Sequence, residues 1–349
     1  MTTIERPPPR VRFDDAQIEM SHGAGGKASR RLVEGLIAPL FANAVLAKLS
    51  DAAALSLGGA AYATTADSFV VKPLRFPGGS IGELAVNGTV NDLAVSGARA
   101  EALMAAFILE AGLPTTTLRA EVEAMAEAAS RAGVAIVGGD TKVVEHGACD
   151  GMYVTTFGVG KIDGRLTLDP RSVRTGDRVL LSGPIGDHGI TILLARGELD
   201  LEADLSSDTR SVWPYVSVLL DTCADSVRWM RDPTRGGVAT SLNELARDSG
   251  LGIVLYEEAV PLRREVRGAC EILGLDPLHI ANEGQFLAIV AERDADRALA
   301  AVRAVAGGEG ATLIGEVRAE PARQVLGISA YGGTRVIDML VGDPLPRIC

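Results

Sequence analysis

Apolar residues recur along this chain in two rhythms, one of period two and one of about 3.6, and the two alternate from end to end. Residues 80–96 (SIGELAVNGTVNDLAVS) follow Pro77-Gly78-Gly79 and set Ile81, Leu84, Ala85, Leu93 and Ala94 at helical spacing. Ser80 is placed to cap the first turn of that helix. Residues 102–109 form a short apolar run that predicts a buried strand. Residues 117–132 predict an alanine-rich amphipathic helix. Residues 133–137 predict a strand ending at Gly138-Gly139-Asp140, and residues 152–159 (MYVTTFGV) an alternating, β-branched strand.

Turn residues gather between Lys161 and Asp177, and a second unit opens behind them in similar grammar. It reads as a strand at 178–182, a glycine turn and a helix from about Gly189. Helices follow near 215–227 and 237–249, then a strand at 252–255, a helix at 262–273, a strand at 286–291, a helix at 295–305 and a strand at 311–317. No period of ~20–50 residues is present, so the chain is not a solenoid. The pattern predicts an α+β protein of two domains with mixed sheets, at 18–165 and 166–340. A disordered lead-in is expected at 1–17 and a mobile tail at 341–349.

Composition narrows the chemistry. A net charge of −11 argues against nucleic acid or an anionic membrane as the main partner. It leaves nucleotides open, because glycine loops and magnesium can offset global charge locally. The four cysteines, Cys149, Cys223, Cys270 and Cys349, lie far apart and form no CxxC pair, so neither a zinc knuckle nor a disulfide framework is indicated. His22 and His188 lie in glycine-rich turns without zinc-ligand spacing. No run approaches the ~18 apolar residues of a membrane span. The first twelve residues lack an apolar signal region, and a reducing cytoplasm fits best.

Several segments carry candidate chemistry. In Ser21-His22-Gly23-Ala24-Gly25-Gly26-Lys27, glycines can let backbone N–H groups converge on an anion, and Lys27 adds a point charge. A turn capping the helix behind it is the equal alternative. Acids sit at expected element ends: Asp51, Asp67 at a strand end, Asn91-Asp92 on an otherwise apolar helix, and Asp140 beside Thr141-Lys142. Two or more carboxylates beside nucleotide phosphates suit magnesium. Arg231-Asp232-Pro233-Thr234-Arg235-Gly236-Gly237 reads as a further acid at a glycine turn, or as a helix start capped by Thr234. Asn282-Glu283-Gly284-Gln285 places one acid at a strand entrance. Pro344-Leu345-Pro346-Arg347-Ile348-Cys349 puts a thiol at the tip of a proline-stiffened segment, either a frayed end or a carrier arm. Nine extended residues reach roughly 30 Å.

Taken together, SHGAGGK, FPGGSIGELAVNGTVNDLAVSGA, VGGDTKVV, LSGPIGDHG, RDPTRGGVATSLNE, ANEGQ and the closing PRIC resemble the HypE family of hydrogenase-maturation carbamoyl dehydratases, within the PurM-like superfamily. The resemblance runs from about residue 18 onward. It implies a PurM-like fold whose N-terminal domain helps build a β-barrel across a homodimer axis, and a C-terminal α/β domain. It also implies a reaction. A HypF-like carbamoyltransferase loads Cys349, ATP drives dehydration of the S-carbamoyl group to S-cyanate, and the cyanide passes to a HypC–HypD complex. On this resemblance Asp67, Asp92, Asp140, Asp51, Asp232 and Asn91 would hold Mg2+. Lys27, Gly25, Gly26 and Thr141 would bind the phosphates, and Glu283 with Lys142 would act on Cys349. Many members carry a double aspartate where this chain reads Ser50-Asp51-Ala52, which ranks Asp51 behind Asp67 and Asp92. An ordinary cysteine thiol titrates near ~8.5, and the neighbouring α-carboxylate is expected to raise it.

Overall fold

The computed structural model describes residues 11–23, 25–41, 43–197, 201, 203–342, 345 and 347–349. The first ten residues of the expected lead-in, and Pro344 and Pro346 of the tail, lie outside these. The described part of the lead-in is anchored rather than free. Asp15 accepts from His22 at 2.8 Å and from Arg31 at 2.9 Å, and the Phe13 ring meets His22 edge-on.

Residues 53–162 supply a five-stranded sheet in the order Ala53–Leu57, Ala60–Phe69, Met152–Ile162, Ala98–Glu110, Ala135–Val144. Neighbours are antiparallel except the last pair, which is parallel. The outermost strands do not pair with each other, so within one chain the sheet is open and no barrel closes. Residues 178–337 supply a seven-stranded sheet ordered Thr334–Ile337, Val325–Ile328, Gly252–Tyr256, Thr312–Arg318, Arg178–Leu181, Leu287–Val290, Val227–Arg231. Its single parallel pairing joins Gly252–Tyr256 to Val325–Ile328. The second half is therefore mixed α+β rather than the α/β expected of it.

Helix Ile81–Val95 positions the site. Ser80 caps it, accepting from the Glu83 N–H, and of its residues all but Glu83 and Asp92 are buried. A helix apolar all round needs cover on every side. It lies on the five-stranded sheet and against helix Trp213–Cys223 of the second half. Gly82 and Gly88 let it press close, against the Glu121 carbonyl and the Phe69 ring. Asp92 is thus a carboxylate held on a rigid, buried scaffold.

One expected break does not occur. Strand Ala135–Val144 runs straight through Gly138-Gly139-Asp140. A Cβ on Gly139 would collide with the Ala105 carbonyl, so the glycine serves close strand approach, not a turn.

Candidate functional site

Carboxylate oxygens of Asp51, Asp92 and Asp232 all lie within 4.8 Å of one another, the only such acidic cluster among the described residues. Three separate elements deliver them: the entry to strand Ala53–Leu57, helix Ile81–Val95 and the turn after strand Val227–Arg231. Asp92 accepts from Thr65 Oγ1 at 2.7 Å, and Arg231 Nε meets Asp51 at 2.9 Å and reaches Glu244 through Nη2 at 3.2 Å. Burial leads in raising all three; repulsion by neighbouring acids adds to it at Asp92 and Asp232, while at Asp51 Arg231 opposes the rise and Glu244 adds to it. Asp232 is pushed up to about 8, with Arg231 opposing, and Asp92 lies well above the usual carboxylate range. Gathered, desolvated and under-neutralised carboxylates fit a hard divalent cation.

Asp67 is next to this triad but is paired with Arg235 Nη2 at 3.0 Å. Asp51, ranked behind Asp67 on sequence, is in the triad, while Asp67 is not. Gly236 and Gly237 take left-handed backbone conformations and aim Arg235 at the cleft. A Cβ on Gly237 would strike the carbonyls of Leu278 and Ile280 at 2.6 Å.

The tail is seated in the same cleft. The Val70 N–H donates to the Cys349 main-chain oxygen at 3.0 Å, His188 Nε2 donates to the Ile348 carbonyl at 2.7 Å, and Arg196 Nη2 donates to the Arg347 carbonyl at 2.8 Å. The Ile348 side chain is buried, an apolar anchor of roughly 1.5–3 kcal/mol. Arg347 pairs with Asp150. Cys349 is partly buried against Arg235, Glu283 and Asp67. Burial pushes its thiol up to about 12, Glu283 and Asp67 add to the rise, and Arg235 opposes it. The direction matches expectation, but burial leads.

Glu283 is buried, and its Oε1 has no hydrogen-bond partner. Burial and the charges of Asp232, Asp67 and Asp208 hold it well above the usual range, against Arg235. Its backbone is fixed: the Glu283 N–H donates to Asp208 at 3.1 Å and its carbonyl accepts from Asn91 at 2.9 Å.

Three expected assignments change. Asn91 is no metal ligand, because its amide donates to the carbonyls of Arg210 and Glu283 and its Oδ1 accepts from the Val212 N–H. Lys27 is bonded to Asp338 at 2.6 Å, and the N–H groups of Lys27 and Ala28 are taken by the carbonyls of Leu340 and Val341. The Gly25-Gly26 turn therefore holds the root of the tail. Asp140, Thr141 and Lys142 lie on the exposed outer strand, with Lys142 bonded to Asp140 at 2.9 Å. From Asp67 the register runs through Thr156 and Ala105 to Gly139, so three strand spacings, about 14 Å, separate them from the cleft of their own chain.

Sequence reasoning missed the cations. Arg231 and Arg235 lie on either side of Asp232 in one turn, and nothing in that spacing signals that they pair with Asp51 and Asp67 of the first half. His188 stands out in sequence for its glycine-rich turn, but nothing in sequence signals that it faces the tail.

Two domain families match: the N-terminal domain of AIR synthase related proteins over residues 49–162 and the C-terminal domain over 174–327. The carbamoyl dehydratase HypE of Rhodobacter capsulatus is 50% identical over 338 residues, covering 96% of this chain and 99% of the relative. A crystal structure of hydrogenase maturation protein HypE in complex with ATP is 46% identical, with a TM-score of 0.79 over 95% of this chain and 99% of that one. A HypE–HypF complex has a TM-score of 0.84 and 43% identity over 88% of this chain and 99% of that one.

Proposed function

The chain belongs to the carbamoyl dehydratase HypE family, and from that membership and the geometry of the cleft we propose that it converts an S-carbamoyl group on Cys349 to S-cyanate at the expense of ATP. The observation that carries this reading is the hydrogen bond of the Cys349 sulfur with Arg235, close to Asp67 and to the unpartnered carboxylate of buried Glu283, which itself feels Asp232 of the acid triad. A carboxamide oxygen is a poor leaving group, and transfer of the γ-phosphoryl to it turns it into phosphate. The sum balances as S-carbamoyl plus ATP giving S-cyanate, ADP, hydrogen phosphate and one proton.

This chain's residues supply positioning and charge, which is what phosphoryl transfer asks of a protein. Asp51, Asp92 and Asp232 would hold Mg2+, which when bound neutralises phosphate charge. Arg235 faces the sulfur and stabilises negative charge growing beside it. Glu283, in its ionised form, takes a proton from the carboxamide nitrogen at the otherwise unpartnered Oε1. Its raised proton affinity makes it a strong base while limiting the ionised share at pH 7. Lys142 joins from a second copy of the chain. The exposed strand Ala135–Val144, with Val137 and Val143 outward, would complete a barrel across a homodimer axis and carry Asp140, Thr141 and Lys142 to the partner's cleft.

A HypF-like carbamoyltransferase would load the thiol and a HypC–HypD complex would accept the cyanide, in the cytoplasm. For either partner to reach the sulfur, the tail must leave the cleft. The test is intact-mass spectrometry after mixing the protein with its carbamoylating partner and then Mg-ATP. A carbamoyl adduct on Cys349 that loses one water only with ATP is expected. An adduct that stays intact, or one on Cys149, Cys223 or Cys270, would overturn the proposal.

A further inference from the structure

The grip on the tail points to a residue outside the phosphate chemistry. His188 is completely buried at the start of helix Asp187–Ala195 and makes two directed hydrogen bonds. Nε2 lies 2.7 Å from the Ile348 carbonyl, one residue before the cysteine, and Nδ1 lies 2.8 Å from Ser207 Oγ. A carbonyl can only accept, so Nε2 carries the proton and Nδ1 must accept from the Ser207 hydroxyl. That hydroxyl in turn accepts from the Thr209 N–H at 3.1 Å, which fixes its direction. Burial holds His188 down at about 4, so the ring keeps this neutral form at physiological pH.

The surroundings join three parts of the molecule at this ring. Phe76, from the first half of the chain, meets it edge-on with centroids 5.6 Å apart. The Ser207 N–H donates to the Pro77 carbonyl at 2.9 Å. Gly78, with φ at 83°, passes so close that a Cβ would sit 2.9 Å from the Ser207 backbone. The first half, the 203–209 segment of the second half and the tail therefore all meet at His188.

We infer that His188, oriented by Ser207, is the positioning residue that sets the depth and direction of Cys349 in the cleft and ties that placement to the closure of the two halves. It touches the tail's main chain and not the sulfur, so its effect reaches the reaction only through where Cys349 sits. The carbamoyl chemistry is assumed in one arm of the test only.

The experiment compares full-length wild type with His188→Leu, His188→Gln and Ser207→Ala. The first readout, independent of any carbamoyl chemistry, is the rate of iodoacetamide labelling of Cys349 against the buried Cys149, Cys223 and Cys270. The second is single-turnover loss of water from the S-carbamoyl protein with Mg-ATP. Glutamine places an amide N–H near the Nε2 position, whereas leucine fills the space without a donor. His188→Leu is expected to label Cys349 about tenfold faster and to dehydrate about tenfold more slowly, the worth of one buried hydrogen bond. His188→Gln should stay near wild type in both, and Ser207→Ala should fall between, with the other three thiols unchanged throughout.

Wild-type behaviour in His188→Leu, or equal damage in His188→Gln, would overturn the inference, the latter by showing that ring packing and not the directed bond matters. Failure of wild type to dehydrate would instead sink the carbamoyl reading, and the labelling rates would still decide the role of His188.

Discussion

Glu283→Gln should separate stability from chemistry. The carboxyl is buried without a partner for Oε1, among Asp232, Asp67 and Asp208, and its affinity for a proton is raised well above normal. In the unfolded chain it ionises near 4.5, so as pH rises past that value the unfolded state gives up a proton that the folded state keeps. Stability is therefore lost on the way up from 4.5 and is undiminished below it. At pH 7 the cost is bounded by the 2.5 units between 4.5 and 7, which is about 3 kcal/mol. Glutamine, uncharged and of the same size, removes that cost. The metal-free variant should melt a few degrees higher than wild type at pH 7 and at the same temperature near pH 4.5, followed by calorimetry at both pH values. ATP-dependent water loss from the S-carbamoyl protein should meanwhile slow by about 10²- to 10⁴-fold, the usual worth of a positioned base. Turnover near the wild-type rate, or a lower melting temperature at pH 7, would refute the reasoning.

Asp232→Asn should raise the magnesium needed for ATP turnover by about tenfold to a hundredfold while stabilising the metal-free protein at pH 7, since it removes a carboxyl that folding forces to keep its proton; a magnesium titration at fixed ATP, with a melting curve, checks both signs. Gly26→Ala puts a side chain against the Leu340 carbonyl at a φ of 71° and should cost about 2–3 kcal/mol, with faster alkylation of Cys349 as the tail root loosens. Lys142→Ala and Glu283→Gln chains, each inactive alone, should recover activity when mixed if Lys142 serves the partner's cleft; no recovery after subunit exchange would refute a shared site.

What could be read from sequence followed local rules. Helix Ile81–Val95 announced itself through its cap and apolar spacing, and the Gly236-Gly237 turn through a conformation few other residues adopt. Three failures had three physical causes. Neighbours on a helix point about 100° apart, so Asn91 and Asp92 could not both face one metal, and Asn91 turned to the Arg210 and Glu283 carbonyls. Gly138-Gly139 looked like a break because a lone strand gains little from glycine, yet pairing with strand Ala98–Glu110 demanded it. The partnership of Arg231 with Asp51 joins residues 180 positions apart, and that of Arg235 with Asp67 joins residues 168 apart. Spacing along the chain says nothing about such pairs, and only folding creates them.

Three of the hydrogen bonds that seat the arm end on main-chain oxygens, those of Arg347, Ile348 and Cys349. These three do not sense what the sulfur carries, so on the proposed chemistry an empty carrier and a loaded one share them and differ at the Arg235 contact. On that proposal a loading partner competes with the cleft for the thiol. If one arm in a hundred is free, the partner's apparent affinity drops about a hundredfold below its intrinsic value. Occupancy of the cleft would then meter how fast carriers are charged, and changes that loosen the dock would speed loading as they slow dehydration.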